Sequence, residues 1–199
     1  MKSVTENRLR IFDFDDTLAE TGEKVKLYTN NGDNFRMQSS DEFATYQLKR
    51  GEYYDESSFY QFDDVNVDAA QPVLPVVDIL KNSLNAPGTR KILILTARNQ
   101  NAETGIRNFL QSIGVDDTNI DVVGVGDKRP VAKVKVIHDY LTNILDNVRF
   151  VSFFDDSGPN VQAVSQYLRQ SGVKHDVAQV ETDKTGQVRL NRKISKKRK

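Results

Sequence analysis

Residues 11–19 read Ile-Phe-Asp-Phe-Asp-Asp-Thr-Leu-Ala, and the rest of the chain is organised around them. Leu9, Ile11 and Phe12 suit a buried parallel strand, which reads as an almost continuous apolar run. Asp13 ends that run, and Asp15 follows two positions on. Carboxylates are rarely buried alone, and two this close raise each other's pKa unless a cation or hydrogen-bond donors hold them charged. The plainer reading is an acidic strand end turning into a solvated loop. The remaining sequence has to decide between the two.

The 199 residues suffice for one domain with a real core, or for a core domain plus a small insert. Lys+Arg and Asp+Glu both number 28, yet the charges are segregated. Residues 191–199 carry six positive charges and no acid, leaving residues 1–190 with an excess of six acids. Ile194 is the only apolar side chain of that stretch, too little to offset the ordering of its backbone, so 191–199 is expected to be a flexible basic tail. Such a tail could bind nucleic acid non-specifically, with an affinity that falls steeply with salt. The absence of cysteine excludes disulfides and thiolate metal sites. With no signal-like apolar run in residues 1–10 and no stretch of membrane-spanning length, a soluble, cytoplasmic protein is expected.

Residues 20–71 differ from the rest. Lys24 to Thr29 alternates, Asn30-Asn31-Gly32-Asp33 is a strong turn signal, and Asn34 to Gln38 can return as a second strand. Ser39-Ser40-Asp41 offers an N-cap for a short helix through Phe43, Tyr46 and Leu48, ending before Gly51. The segment holds 9 of the 17 aromatics and 11 acids against 5 bases, with no clear period after Gly51. A small acidic cap is expected, its aromatics forming a core of their own.

From Pro72 the pattern becomes regular. A helix is expected over Pro72–Leu84, with Leu74, Val77, Leu80 and Leu84 on one stripe and a Pro87-Gly88 turn after it. Strands follow at Lys91–Leu95, Asp121–Val125, Val148–Phe154 and Val177–Val180. Between them lie helices from Asn101 to Ile113, from Pro130 to about Leu145, and from Pro159 to Leu168. Asp183 to Gly186 then turns the chain into 187–190. Strands alternating with helices imply a mainly parallel sheet, whose ligands bind beyond the carboxyl ends of the strands. The polar punctuation falls there: Asp13 and Asp15, then Thr96-Ala97-Arg98, then Asp155 and Asp156.

These residues resemble the motifs of the haloacid dehalogenase (HAD) superfamily, met in order from Arg8 to Val180. Asp13-Phe14-Asp15-Asp16-Thr17 matches its first motif, DxDxT. Ile92-Leu93-Ile94-Leu95-Thr96 matches the second, and Phe153-Phe154-Asp155-Asp156-Ser157 the fourth. The third is a lysine near the start of the preceding helix, here Lys133 or Lys135; Lys133 is preferred because Lys133, Ile137 and Leu141 share one stripe. The resemblance implies an α/β, Rossmann-like three-layer sandwich, its first strand flanked by the Thr96 and Asp155 strands. The catalytic core would be residues 1–19 and 72–190, with a small cap at 20–71 and no room for a second cap.

By the same resemblance, Asp13 would attack a phosphomonoester and Asp15 would act as general acid and base. Asp13, the Asp15 carbonyl and Asp155 or Asp156 would bind Mg²⁺, which prefers hard oxygen ligands. Thr96 and Lys133 would bind and neutralise the phosphoryl group. Asp15 points to a phosphatase before a phosphomutase. A polynucleotide 3′-end or nucleotide phosphatase is an alternative, as is a non-catalytic phosphate-binding protein of the same fold. Arg98 is divided between substrate phosphate and solvent, and Asn160 is read as capping or orienting the loop after the acidic pair. His138, His175, Asp16 and Asp127 read as structural or loop residues.

Overall fold

A computed structural model of the chain describes residues 7–39, 42–43, 46–55, 63–183 and 185–194. The architecture is α/β: a six-stranded, mostly parallel sheet with helices on both faces. Its central strand is β1 (Arg8–Phe12), buried as its apolar run requires. On one side β1 pairs in parallel with β7 (Thr89–Thr96), which pairs with β8 (Ile120–Gly124). On the other side it pairs with β9 (Phe150–Asp155), followed by β10 (Lys174–Thr182). The Thr96 and Asp155 strands therefore flank the first strand, as the motifs imply.

Among the described residues, four helices complete the layers of the core. α1 (Leu74–Leu84) and α2 (Glu103–Ser112) bury Val76, Val77, Leu80, Ile106 and Phe109 against Phe12, Ile92 and Ile94. α3 (Pro130–Asp139) and α4 (Gly158–Gln170) cover the opposite face, packing Ile137, Val161, Val164 and Leu168 on Leu9, Ile11, Leu93 and Val151. The chain thus builds outward from β1 with its helices on one face, then returns to β9 with its helices on the other. The crevice at the carboxyl ends of β1 and β9 is the switch point where such sheets bind ligands.

Residues 19–72 leave and rejoin this core through a two-residue ribbon, β2 (Ala19–Glu20) against β6 (Gln71–Pro72). Between them, β3 (Lys24–Thr29), β4 (Asn34–Ser39) and β5 (Tyr53–Tyr54) form a separate three-stranded sheet in the order β4-β3-β5. Period-two alternation divides its faces. Val25, Leu27 and Gln38 are buried on one, whereas Phe35, Met37 and Tyr53 are exposed on the other. On that outer face Tyr28 stacks on Tyr53, and Lys26 lies over the Tyr28 and Phe35 rings. Of the short helix expected after Asp41, only Glu42 and Phe43 are described as helical; residues 40–41 and 44–45 lie outside the described residues.

Several boundaries differ from expectation. The helix expected from Pro72 begins at Leu74, because Gln71 and Pro72 pair in the ribbon. Leu74 is not on its buried stripe: it is 62% exposed, and Val76, Val77, Leu80 and Ser83 face the core. The helix from Pro130 is regular only to Asp139, then widens into a π turn over Tyr140–Ile144 that closes with a Leu145 N–H to Tyr140 carbonyl bond. Residues 191–194, expected to belong to the flexible tail, are paired in a strand instead. β11 (Val188–Ile194) runs antiparallel to β10 and pairs Asn191 to Ile194 with Gln179 to Asp176. The backbone ladder orders these basic residues, since an edge strand satisfies its hydrogen bonds without apolar side chains. Residues 195–199 lie outside the described residues.

Candidate active site

Asp13 stands one residue beyond β1, where its N–H donates to the Phe154 carbonyl at 2.8 Å and so extends the ladder with β9. The chain then makes a tight turn in which the Phe14 carbonyl accepts from the N–H groups of Leu18 and Ala19 at 2.8 and 3.0 Å. Asp16 sits in this turn at φ 52°, a left-handed conformation that aspartate tolerates better than most residues. The turn sends Asp13 and Asp15 to different neighbours.

Asp13 faces Lys133. One turn inside α3, the Lys133 ammonium lies 2.7 Å from Asp13 Oδ1 and 2.8 Å from Asp155 Oδ2. Lys133 is buried and Lys135 exposed, so the stripe reading selects the lysine that reaches the acids. Burial alone would discharge Lys133, but Asp13 and Asp155 outweigh it and its pKa is raised. Burial also pushes the Asp13 carboxyl up, to about 7; Lys133 opposes that rise and Asp155 adds to it.

Asp155 is fully buried at the end of β9 and is held from three sides. Besides Lys133, it accepts from the Ser157 N–H at 2.9 Å and from Asn160 Nδ2 at 3.0 and 3.2 Å. Asn160 thus orients the acid itself as well as its loop. Asp156 is fixed through Thr17, whose Oγ1 donates to Asp156 Oδ1 at 3.3 Å and accepts from the Asp156 N–H at 3.0 Å. Oxygens of Asp13, Asp155 and Asp156 all lie within 4.8 Å of one another, a group that could hold a metal ion. Carboxylate oxygens converging in a largely buried site, with one acid driven toward protonation, suit a hard divalent cation.

Asp15 faces the other way, into a bidentate pair with Arg98: Nε reaches Oδ2 at 2.9 Å and Nη2 reaches Oδ1 at 2.7 Å. Thr21 Oγ1 donates to the same Oδ1 at 3.0 Å. Arg98 is 3% exposed, which removes the solvent-facing reading. Thr96, at the end of β7, is buried and accepts from the Arg98 N–H through Oγ1 at 3.1 Å. This loop lies hard against the end of β8. A Cβ on Gly124 would meet the Asn99 carbonyl at 2.5 Å, so only glycine permits the approach.

A cavity of about 530 Å³ opens over these groups. Asp13, Asp15, Arg98, Lys133 and Asp156 line it, while Phe43 and Tyr54 from the insert and Lys128 after β8 form another part of its wall. Thr96 and Asp155, both buried, do not line it themselves. Lys128 holds insert and core together. Its Nζ donates to the Phe43 carbonyl at 3.0 Å and stands over the Phe43 and Tyr54 rings. Sequence reasoning missed Lys128, Thr21 and Glu23, which carry no periodic or motif signal. Asp127 pairs with Arg129. His138 is exposed, and His175 is buried with Nδ1 2.8 Å from the Val173 carbonyl, so neither reaches the site.

No family model and no curated protein matches the chain. Among solved structures it is similar to the HAD domain of the effector protein Lem4 from Legionella pneumophila. The inactive mutant of that domain gives a TM-score of 0.48 at 15% identity, covering 84% of this chain and 80% of the other. A second structure of the same domain gives 0.44 at 18% identity, covering 85% and 84%. Among the described residues, no helix is long and apolar enough to cross a membrane.

Proposed function

We propose that this chain is a Mg²⁺-dependent phosphomonoester hydrolase that works through a phosphorylated Asp13. The observation carrying this reading is the meeting of Asp13, Asp155 and Asp156 within 4.8 Å, beside a buried lysine, at the switch point of a parallel sheet. Bound there by Asp13, Asp155 or Asp156 and the Asp15 carbonyl, Mg²⁺ would supply positive charge to the phosphoryl oxygens.

In this reading an Asp13 oxygen attacks phosphorus and the bond to the leaving oxygen breaks. Asp15 gives that oxygen its proton. Water then attacks the phosphorus of the acyl-phosphate, Asp15 takes a proton from it, and the bond to Asp13 breaks to release inorganic phosphate. Lys133 balances charge on Asp13 and the transferring group, and Thr96 donates to a phosphoryl oxygen. The cavity exceeds a phosphoryl group in size, so the leaving group has room towards Phe43, Tyr54 and Lys128.

The test is hydrolysis of an aryl phosphate by purified protein with Mg²⁺ and with a chelator. It should be coupled to mass spectrometry of protein quenched during turnover, where the added phosphoryl mass should map to Asp13. Turnover that survives chelation, or a label on another residue, would overturn the proposal. Tight phosphate binding without turnover would favour a non-catalytic phosphate-binding protein.

A further inference from the structure

Arg98 joins three parts of the molecule through one guanidinium. Its backbone belongs to the core, its N–H donating to Thr96 Oγ1 at 3.1 Å and its carbonyl accepting from the Gly126 N–H at 2.9 Å. Nε and Nη2 grip both oxygens of Asp15. Nη2 also meets Glu23 Oε2 and lies 3.4 Å from Thr21 Oγ1, both just past the outgoing strand of the ribbon. Nη1 donates at 2.7 Å to the carbonyl of Asp64, on the returning arm. That arm is itself pinned to the core, because a Cβ on Gly105 of α2 would meet the Val65 nitrogen at 2.6 Å.

We infer that Arg98 is a positioning residue that aims the Asp15 carboxylate and makes its release depend on the two arms of the insert. This rests on the phosphatase reading, in which Asp15 is the general acid. To reach a leaving-group oxygen, Asp15 must turn at least one oxygen out of the guanidinium fork. A buried guanidinium left unpaired is costly. Glu23 removes that cost by offering a second carboxylate, its side chain 10% exposed against 1% for Arg98. The fork therefore passes part of its bonding to Glu23 while Asp15 serves the substrate, and takes Asp15 back afterwards. A lysine at this position could not do the same, since its ammonium is a point charge without a planar fork.

The discriminating measurement is kcat/KM on two esters with different leaving groups. A nitrophenyl phosphate expels a stable anion and needs little help from an acid, whereas an alkyl phosphate needs its leaving oxygen protonated. Arg98→Gln and Arg98→Lys are expected to lose about 10²–10³-fold on the alkyl ester and less than about tenfold on the aryl ester, the range of one general-acid contribution. Affinity for inorganic phosphate should be retained. In an Asp15→Asn background, Arg98→Gln should add little, because the two residues act as a unit. Should the Arg98 variants fail to fold, Glu23→Gln gives the same reading, with a selective loss on the alkyl ester.

Equal losses on both esters together with weakened phosphate binding would overturn the inference and make Arg98 a direct phosphate ligand. A wild-type protein inactive on both esters would instead reject the phosphatase reading, and this inference with it.

Discussion

Lys133, one turn inside α3, sets its ammonium 2.7 Å from Oδ1 of Asp13 at the end of β1. The pair is buried, and Asp155 shares the same cation at 2.8 Å. Lys133 therefore has two duties, opposing the rise that burial imposes on the Asp13 pKa and tying α3 to the ends of β1 and β9.

Replacing Lys133 with alanine is expected to abolish most turnover and to cost about 3–5 kcal/mol of stability, the usual consequence of removing one partner from a buried ion pair. Lys135→Ala, at an exposed position, should behave like the wild type in both respects. Steady-state kinetics and thermal unfolding of the two variants check this, and the opposite ranking would assign the role to Lys135.

Asp13→Asn should remain folded and lose all measurable phosphatase activity. Amide replaces carboxylate with little change of shape, so the sheet ladder through its N–H persists. Beryllium fluoride binding, followed by fluorine NMR, should need both Mg²⁺ and Asp13. A variant retaining more than a few per cent of wild-type turnover would exclude Asp13 as the nucleophile.

The Asp13 carboxyl, pushed up to about 7 mainly by burial, predicts a proton linkage in the metal-free protein. Between the ordinary value of 3.8 and about 7, folded Asp13 keeps a proton that the unfolded chain has released, so stability falls as pH rises through this window. A divalent ion requires the carboxylate, so Mg²⁺ affinity should fall about tenfold per pH unit below that value and level off above it. Calorimetry in buffers of different ionisation enthalpy would detect the released proton. A pH-independent affinity would contradict the linkage.

Ending the chain after residue 194 should leave thermal stability unchanged, whereas removing 188–199 should not. The longer deletion strips β11 from β10 and pulls Val188 and Leu190 off the core, a loss of about 2–4 kcal/mol from their burial. Nucleic-acid binding, if it is carried by 195–199, should vanish with the shorter deletion and weaken steeply with salt. Equal melting temperatures for both truncations would show that the edge strand is dispensable.

Much of this geometry is legible in the sequence because buried parallel strands leave apolar runs and their polar ends fall on one rim. That is how Asp13, Thr96 and Asp155 could be placed; the lysine was sought because the family resemblance implies one, and helical spacing only favoured Lys133 over Lys135. The Leu74 error is one of phase: the ribbon consumes Gln71 and Pro72, so the helix starts later and presents Val76 and Val77. β11 was hidden because backbone pairing, which has no side-chain signature, orders a strand that carries Arg189, Arg192 and Lys193. The Arg98 fork was hidden for a different reason. Its partners Asp15, Thr21, Glu23 and Asp64 sit at sequence separations of 83, 77, 75 and 34, joined only once the insert folds back.

The ribbon pairing Ala19 with Pro72 and Glu20 with Gln71 brings the excursion back to the point it left. To the core, everything between is a single closed loop, and doubling such a loop costs only about 0.6 kcal/mol of chain entropy. Descendants of this gene could therefore lengthen, shorten or exchange the excursion without moving Asp13 relative to Lys133. The acids gathered around Lys133 and the cavity wall that faces them can be inherited separately, and an exchange would be registered at core residues that touch the insert, such as Arg98, Lys128 and Gly105.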